Sequence, residues 1–489
     1  VTDSAVSWLD GKKSAASESA GSRSDFIDDD AITSWLERPA PFDRTRFDEL
    51  IAKAGRCEGL SGEETAWLVN LKVEDAWQEV FRTAAKVKQA IYGNRIVLFA
   101  PLYLSNACVN DCAYCGFRVS NRAIERRTLS HDEVAAEVRS LTREGHKRLL
   151  LVAGEHAASD VGYLTSVIER IYAEKNGPDG IRRVNVNIAP LSVADYKRVR
   201  ESKIGTLQVF QETYHKATYR KLHPAGTIKS DYHWRLFSQH RAQEAGISDV
   251  AIGALFGLYD WRFETVALVL HAADMDREFG VGSHTISFPR LEPAINTPFN
   301  DRSPWKVSDE DFRKIIAVLR LAVPYTGLIL TARERPEFRR ELLRLGVSQT
   351  DAGTRIAIGG YSEQKDGLSP EREQFRIADT RSLDEFIAEL VEDGYIPSFC
   401  TADYRCGRVG CDFMQITKAG NIRKLCIPNA VLTFKEYLLD YASAGTREKG
   451  DRLIGSYLEQ LKRDYSEKSW KDTKDYLARI DSGVRDLYF

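Results

Sequence analysis

Three cysteines lie within eight residues, Cys108, Cys112 and Cys115, separated by three residues and then two. Thiolates are soft donors for iron and zinc. Three of them alone cannot complete a four-ligand structural zinc site. They can hold three irons of a 4Fe–4S cube and leave the fourth iron open to a small chelating ligand. A zinc site with a distant fourth ligand is the rival reading. The other five cysteines are Cys57, which stands alone, and Cys400, Cys406, Cys411 and Cys426, which form a second group. Clustering of this kind, in a large chain with no export signal, favours metal over disulfides.

The elements that must position these thiols follow from periodicity. A β-rich run at 95–100 leads into the first cysteine group. Seven more runs recur at 148–153, 183–188, 206–211, 249–254, 283–288, 328–331 and 347–351. Amphipathic stretches at 131–144, 159–174, 191–202, 231–245, 261–278, 308–322 and 335–344 alternate with them. Capping signals open several of the helices, at Ser61, Ser130, Ser308 and Ser382. This rhythm predicts an α/β fold, a (β/α)8 TIM barrel, with an open doubly wound sheet as the alternative. No glycine fingerprint follows the first run, which weakens that alternative. The expected organisation is a flexible tail (1–25), a helical extension (26–94), the barrel (95–380) and a C-terminal helical domain (381–489) with a second iron–sulfur site. In such a barrel, chemistry sits at the C-terminal strand ends. That rule gathers the three cysteines with Glu155, Asn185, Asn187, Glu212, Arg333, Asp351 and Thr354.

The 489 residues are 43% hydrophobic and 29% charged, with a net charge of −2, which predicts a folded core and gives no reason for a nucleic-acid or membrane partner. The first residues lack the apolar core of a signal peptide, so a cytoplasmic location is expected.

The x3/x2 spacing resembles the signature of the radical S-adenosylmethionine (SAM) enzymes. Longer strings narrow the likeness: Cys108 to Phe117, Arg183-Val184-Asn185-Val186-Asn187-Ile188, Gln211 to Tyr214, Leu255 to Arg262, and Gly359-Gly360-Tyr361. They resemble the radical SAM tyrosine lyases, the branch of FeFe-hydrogenase maturases (HydG) and, over the barrel, the thiazole-pathway 2-iminoacetate synthases (ThiH). The resemblance implies cleavage of the tyrosine Cα–Cβ bond to p-cresol and dehydroglycine, and in the maturase branch CO and cyanide made at a second cluster. It implies a 4Fe–4S cluster on Cys108, Cys112 and Cys115, with SAM bound near Tyr114, Glu155 and Glu212. It implies Arg333 pairing with the substrate carboxylate, with Asp351 and Thr354 near the polar end of the substrate. His271 is expected to ligate an extra iron of the second cluster. Tyrosine, SAM, a reductant such as ferredoxin or flavodoxin, and other hydrogenase maturases are the implied partners.

One departure stands out. The maturase branch has Cys-x2-Cys-x22-Cys near its C-terminus, and the matching positions here are Cys400, Asp403 and Cys426. Asp403 could serve as the third ligand, although a carboxylate is a harder donor than a thiolate. Cys406 or Cys411 could replace it, or the second cluster could be lost. A lyase that stops at dehydroglycine and a non-catalytic iron–sulfur scaffold are the alternative functions. The scaffold would not need Glu155, Glu212 and Arg333.

Overall fold

Eleven consecutive buried residues form the strand on which the fold is built, β1 (Arg95–Ser105). The computed structural model describes residues 8, 11–14, 23–38, 41–176, 179–363, 370–418 and 422–489, so most of the expected tail lies outside the described residues. Seven parallel strands follow: β2 (Arg148–Ala153), β3 (Arg183–Asn187), β4 (Leu207–Gln208), β5 (Val250–Gly253), β6 (Thr285–Ser287), β7 (Gly327–Leu330) and β8 (Gln349–Asp351). Each pairs with its predecessor, and β8 returns to β1 through Val97↔Gln349, Leu98↔Thr350 and Phe99↔Asp351, which closes the barrel. Their inward and outward faces are both covered, as parallel strands require.

Two differences from the sequence-based expectation concern strand length. β4 is only two residues long, although the chain stays beside β5 beyond it through Gln211 N, which donates to Gly253 O (3.0 Å), and a bridge between Glu212 and Ala254. β1 is much longer than 95–100, and its lower end has an additional neighbour. A ninth strand, β9 (Ile396–Ser398), runs parallel to β1 with Arg95↔Ile396, Ile96↔Pro397 and Val97↔Ser398. A strand has two edges, and at Val97 they are taken by Gln349 and Ser398. β2 begins its pairing with β1 only at Ala100, so β9 fills the part of that edge below it.

The helices obey their local signals. The Ser61, Ser130 and Ser382 caps form full capping boxes with Glu64, Glu133 and Glu385. The helix Glu74–Tyr92 buries Trp77, Val80, Ala84, Val87 and Ile91, one face at helical spacing, and packs on the helix Asp309–Ala322. The expected helix at 231–245 is two short ones, Tyr232–Leu236 and Ser238–Glu244, parted at Phe237. After β9 the helix Ile422–Asp440 is buried over most of its length from Cys426 to Leu438. It packs against β9 and against the helices Ala444–Asp464 and Glu467–Asp481, forming the core of the C-terminal unit.

Candidate active site

The C-terminal ends of the strands surround a cavity of about 220 Å³. Cys108, Cys112 and Cys115 line it together with Tyr114, Glu155, Glu212, Arg333 and Asp351. The loop that carries the thiols is tied down on several sides. Val109 N donates to Glu155 O (2.8 Å), and Ala113 N donates to Leu222 O (3.0 Å). Asn110 Nδ2 donates to Glu155 Oε2 (2.7 Å), while its Oδ1 accepts from Lys229 N (3.0 Å). Gly154 is needed for this closeness, since a Cβ there would lie 2.2 Å from Ala107 O.

The charges around the thiols suit a cationic cluster. Burial pushes Cys112 up to about 12, and the neighbouring Cys115 and Cys108 push the same way against the pull of Lys229. Burial raises Cys108 as well, and thiols that resist ionising become good ligands once iron supplies positive charge. Glu155 Oε1 is buried and has no hydrogen-bond partner, so it can accept from an ammonium in the cavity. Burial would raise the Glu212 carboxyl, but Lys229 (2.7 Å) and Arg235 (3.0 Å) outweigh it and bring it down to about 2. Glu212 is therefore anionic. Tyr114 is buried, with its hydroxyl on His223 Nε2 at 2.8 Å. Lys229 and Arg235 escaped the sequence reading because they lie in the loop and helix after β4, away from any strand end.

On the far wall, Arg333 makes no ion pair among the described residues; its Nη1 donates to Arg290 O (3.1 Å) and its guanidinium lies 3.4 Å from the Phe375 ring centroid. Its remaining donors are available to a carboxylate. Asp351 shares this wall but is held from behind by the buried Arg339 (3.3 Å). Thr354 is buried and does not line the cavity. Its side chain bears instead on Asp351, which does line it.

The opposite mouth, at the N-terminal strand ends, holds a cavity of about 40 Å³. Arg95, Arg148, His284, Gly327 and Gln349, each at or next to the start of a strand, line it with Cys400, Asp403 and Arg408. Cys426, from the helix Ile422–Asp440, brings its Sγ to 3.8 Å from Asp403 Oδ2. Asp403 is also held by Arg408 Nε at 3.0 Å. Burial raises Cys426 to about 12, with Arg95 pulling against it. This end of the barrel therefore offers two thiols and a carboxylate, not three thiols. Cys406 and Cys411 are exposed, with their sulfurs near the carbonyls of Phe489 (3.9 Å) and Phe279 (4.0 Å), so neither replaces the missing thiol.

The expectation for His271 is corrected here. It lies on the helix Trp261–Phe279 in the outer layer, where its Nδ1 meets Tyr214 OH at 2.8 Å and its ring packs on Phe26 and His240. Burial drives its pKa well below the usual value, so it is a neutral core histidine. The histidine beside Cys400 and Asp403 is His284. It lies 4.8 Å from the Phe413 ring, with its Nδ1 3.6 Å from Asp249. Its place just before β6 was the available sign, since residues that precede a barrel strand face the N-terminal mouth.

Comparison with known proteins fits this geometry. The radical SAM superfamily model matches residues 102–270, and the biotin and thiamin synthesis associated domain matches residues 287–396. The 2-iminoacetate synthase of Escherichia coli (strain K12) is 31% identical over 363 residues, covering 73% of this chain and 92% of its own. A crystal structure of HydG, a maturase of the [FeFe]-hydrogenase, superposes with a TM-score of 0.91 at 47% identity, covering 95% of this chain and 100% of its own. The chain belongs to the HydG/ThiH family of radical SAM tyrosine lyases. The HydG of Carboxydothermus hydrogenoformans is 38% identical with a TM-score of 0.78, covering 96% of this chain and 99% of its own. Membership of this family implies a 4Fe–4S cluster and SAM at the upper mouth. No helix among the described residues is long and apolar enough to cross a membrane.

Proposed function

We propose that the upper mouth cleaves the Cα–Cβ bond of tyrosine, giving p-cresol and dehydroglycine, and that the products serve FeFe-hydrogenase maturation through CO and cyanide. Cys108, Cys112 and Cys115 hold the cluster, and Glu155 takes the ammonium of SAM on its free Oε1. When bound, the cluster and SAM supply a 5′-deoxyadenosyl radical that takes hydrogen from the substrate amino group. Arg333 clamps the substrate carboxylate with its free donors, a task suited to a guanidinium fork. Glu212, Lys229 and Arg235 form a fixed charge set on the SAM side, and Tyr114 closes that wall. The apolar remainder of the wall, Phe99, Leu150, Val152 and Ile329 among it, excludes water from a radical.

The observation that carries this reading is that Arg333, with no ion pair among the described residues, lines the same cavity as the three thiols. At the lower mouth, Cys400, Asp403 and Cys426 hold the second iron site, with His284 in the place first assigned to His271. A low-potential reductant such as ferredoxin or flavodoxin supplies the electron, and other maturases receive the product. Asp403 favours a second reading, in which the enzyme stops at dehydroglycine. Anaerobic reconstitution followed by assays for tyrosine-dependent SAM cleavage, p-cresol, CO and cyanide separates the two. p-Cresol without CO overturns the full maturase reading, and no p-cresol overturns both.

A further inference from the structure

The segment 371–378 crosses the upper mouth as a strap. Glu125 N donates to Glu371 O (2.9 Å), Arg376 N donates to Pro293 O (2.9 Å), and Ala378 N donates to Ala332 O (2.9 Å). Between these anchors the strap lies directly on the cysteine loop. A Cβ at Gly116 would be 2.5 Å from Gln374 O, so only glycine after the third cysteine admits this approach. The contact brings Gln374 Nε2 to 3.5 Å from Cys115 Sγ. Gln374 Oε1 accepts from Tyr103 OH at 3.2 Å. Burial raises the Tyr103 pKa and keeps it a phenol able to donate, and in the arrangement where it donates to Oε1 the amide turns its NH2 toward the sulfur. Asn110 offers its amide to Cys108 at 3.9 Å, but that amide is already committed to Glu155 at 2.7 Å.

We propose that Gln374 is a positioning residue for the iron–sulfur centre, donating an amide N–H to the Cys115 sulfur and so favouring the reduced cluster, with Tyr103 holding the amide in that orientation. The proposal rests on the reading of the three thiols as cluster ligands. The step concerned is the uptake of one electron by the oxidised cluster from an external low-potential donor. The added negative charge spreads onto the ligand sulfurs, and a hydrogen-bond donor there stabilises it. Phe375, the next residue, lies under Arg333, so one strap touches both the cysteine loop and the proposed substrate clamp.

The test uses full-length protein in a Cys426→Ala background, which removes the signal of the lower site, reconstituted anaerobically and titrated with dithionite under EPR. Iron and sulfide are counted first. An intact cysteine triplet that binds no cluster overturns the underlying reading, not the role of Gln374. With cluster present, Gln374→Leu should lower the reduced-to-oxidised ratio at a fixed potential by about fivefold, the worth of one hydrogen bond. Gln374→Glu, close in shape but without the donor, should lower it further, and it keeps the test decisive if the leucine variant loads no iron. Tyr103→Phe should give a smaller shift in the same direction. Full iron with an unshifted titration overturns the proposal. So does a raised KM for tyrosine with an unshifted titration, which would make Gln374 only a strut for Phe375 and Arg333.

Discussion

The two mouths of the barrel use the same donor chemistry to different ends. The upper one presents three thiols on a single loop, an unpartnered carboxylate oxygen on Glu155 and an arginine free of ion pairs, around a cavity of about 220 Å³. The lower one lines about 40 Å³ with one thiol and a carboxylate, Cys400 and Asp403, sets a second thiol, Cys426, behind the carboxylate, and already binds that carboxylate to Arg408. A loop with its ligands close in sequence is assembled by local folding. A site split between β9 and a helix more than twenty residues later exists only after the C-terminal unit has docked. The upper mouth thus has room for small molecules, whereas the lower one is smaller and its carboxylate is already engaged by Arg408.

The largest effect that could break this contrast is loss of one upper thiol. Cys115→Ala should reduce SAM cleavage to background, followed as 5′-deoxyadenosine under anaerobic reduction, and retained cleavage would refute the cluster assignment. Next, Arg333→Ala should raise the KM for tyrosine roughly 10- to 100-fold, the worth of a charged hydrogen-bonded pair, with SAM binding unaffected. A set of lower-mouth variants should then leave the upper chemistry intact. Asp403→Ala and His284→Ala should lower bound iron while p-cresol formation stays within about twofold. His271→Gln should keep all the iron but lose about 1–3 kcal/mol of stability, because it disturbs the bond with Tyr214, read by thermal unfolding. Iron lost from the His271 variant and kept in the His284 variant would reverse the assignment.

The smallest effect concerns pH. Glu292 lines the upper cavity, and burial lifts its carboxyl to about 7, with Arg333 opposing. Below that value it is neutral; above it, it becomes an anion beside the clamp and competes with a substrate carboxylate for Arg333. The tyrosine KM should therefore rise a few-fold as pH passes upward through 7. Glu292→Gln should flatten the profile, and an unchanged pH dependence would remove Glu292 from the site.

What could be read in the sequence was the part set by local chemistry. All eight barrel strands form near their expected places, and Ser61, Ser130 and Ser382 cap the helices they precede. Hydroxyl caps and apolar periodicity act over a few residues, so they survive without tertiary knowledge. Glu155, Glu212 and Arg333 were found because a barrel sends strand ends to one face. The misses are long-range. Gln374 meets Cys115 across more than 250 residues of chain, and nothing local marks it. β9 is three residues long and is a strand only because β1 offers a bare edge. His271 was assigned by resemblance alone, and likeness in sequence does not say which face of the barrel a residue serves.

That bare edge has a further consequence. β1 is 11 residues long, about 36 Å, and reaches from Arg95 in the lower cavity to Tyr103 in the upper one. Without β9, the edge at Arg95–Val97 would present unpaired backbone groups, a template for sticking to another copy. A barrel expressed without its last hundred residues should therefore aggregate, whatever its chemistry. By the same logic the C-terminal unit would be kept as a cover even by a descendant whose lower mouth had stopped binding iron, and Asp403 stands in a position where such drift could begin without exposing the edge.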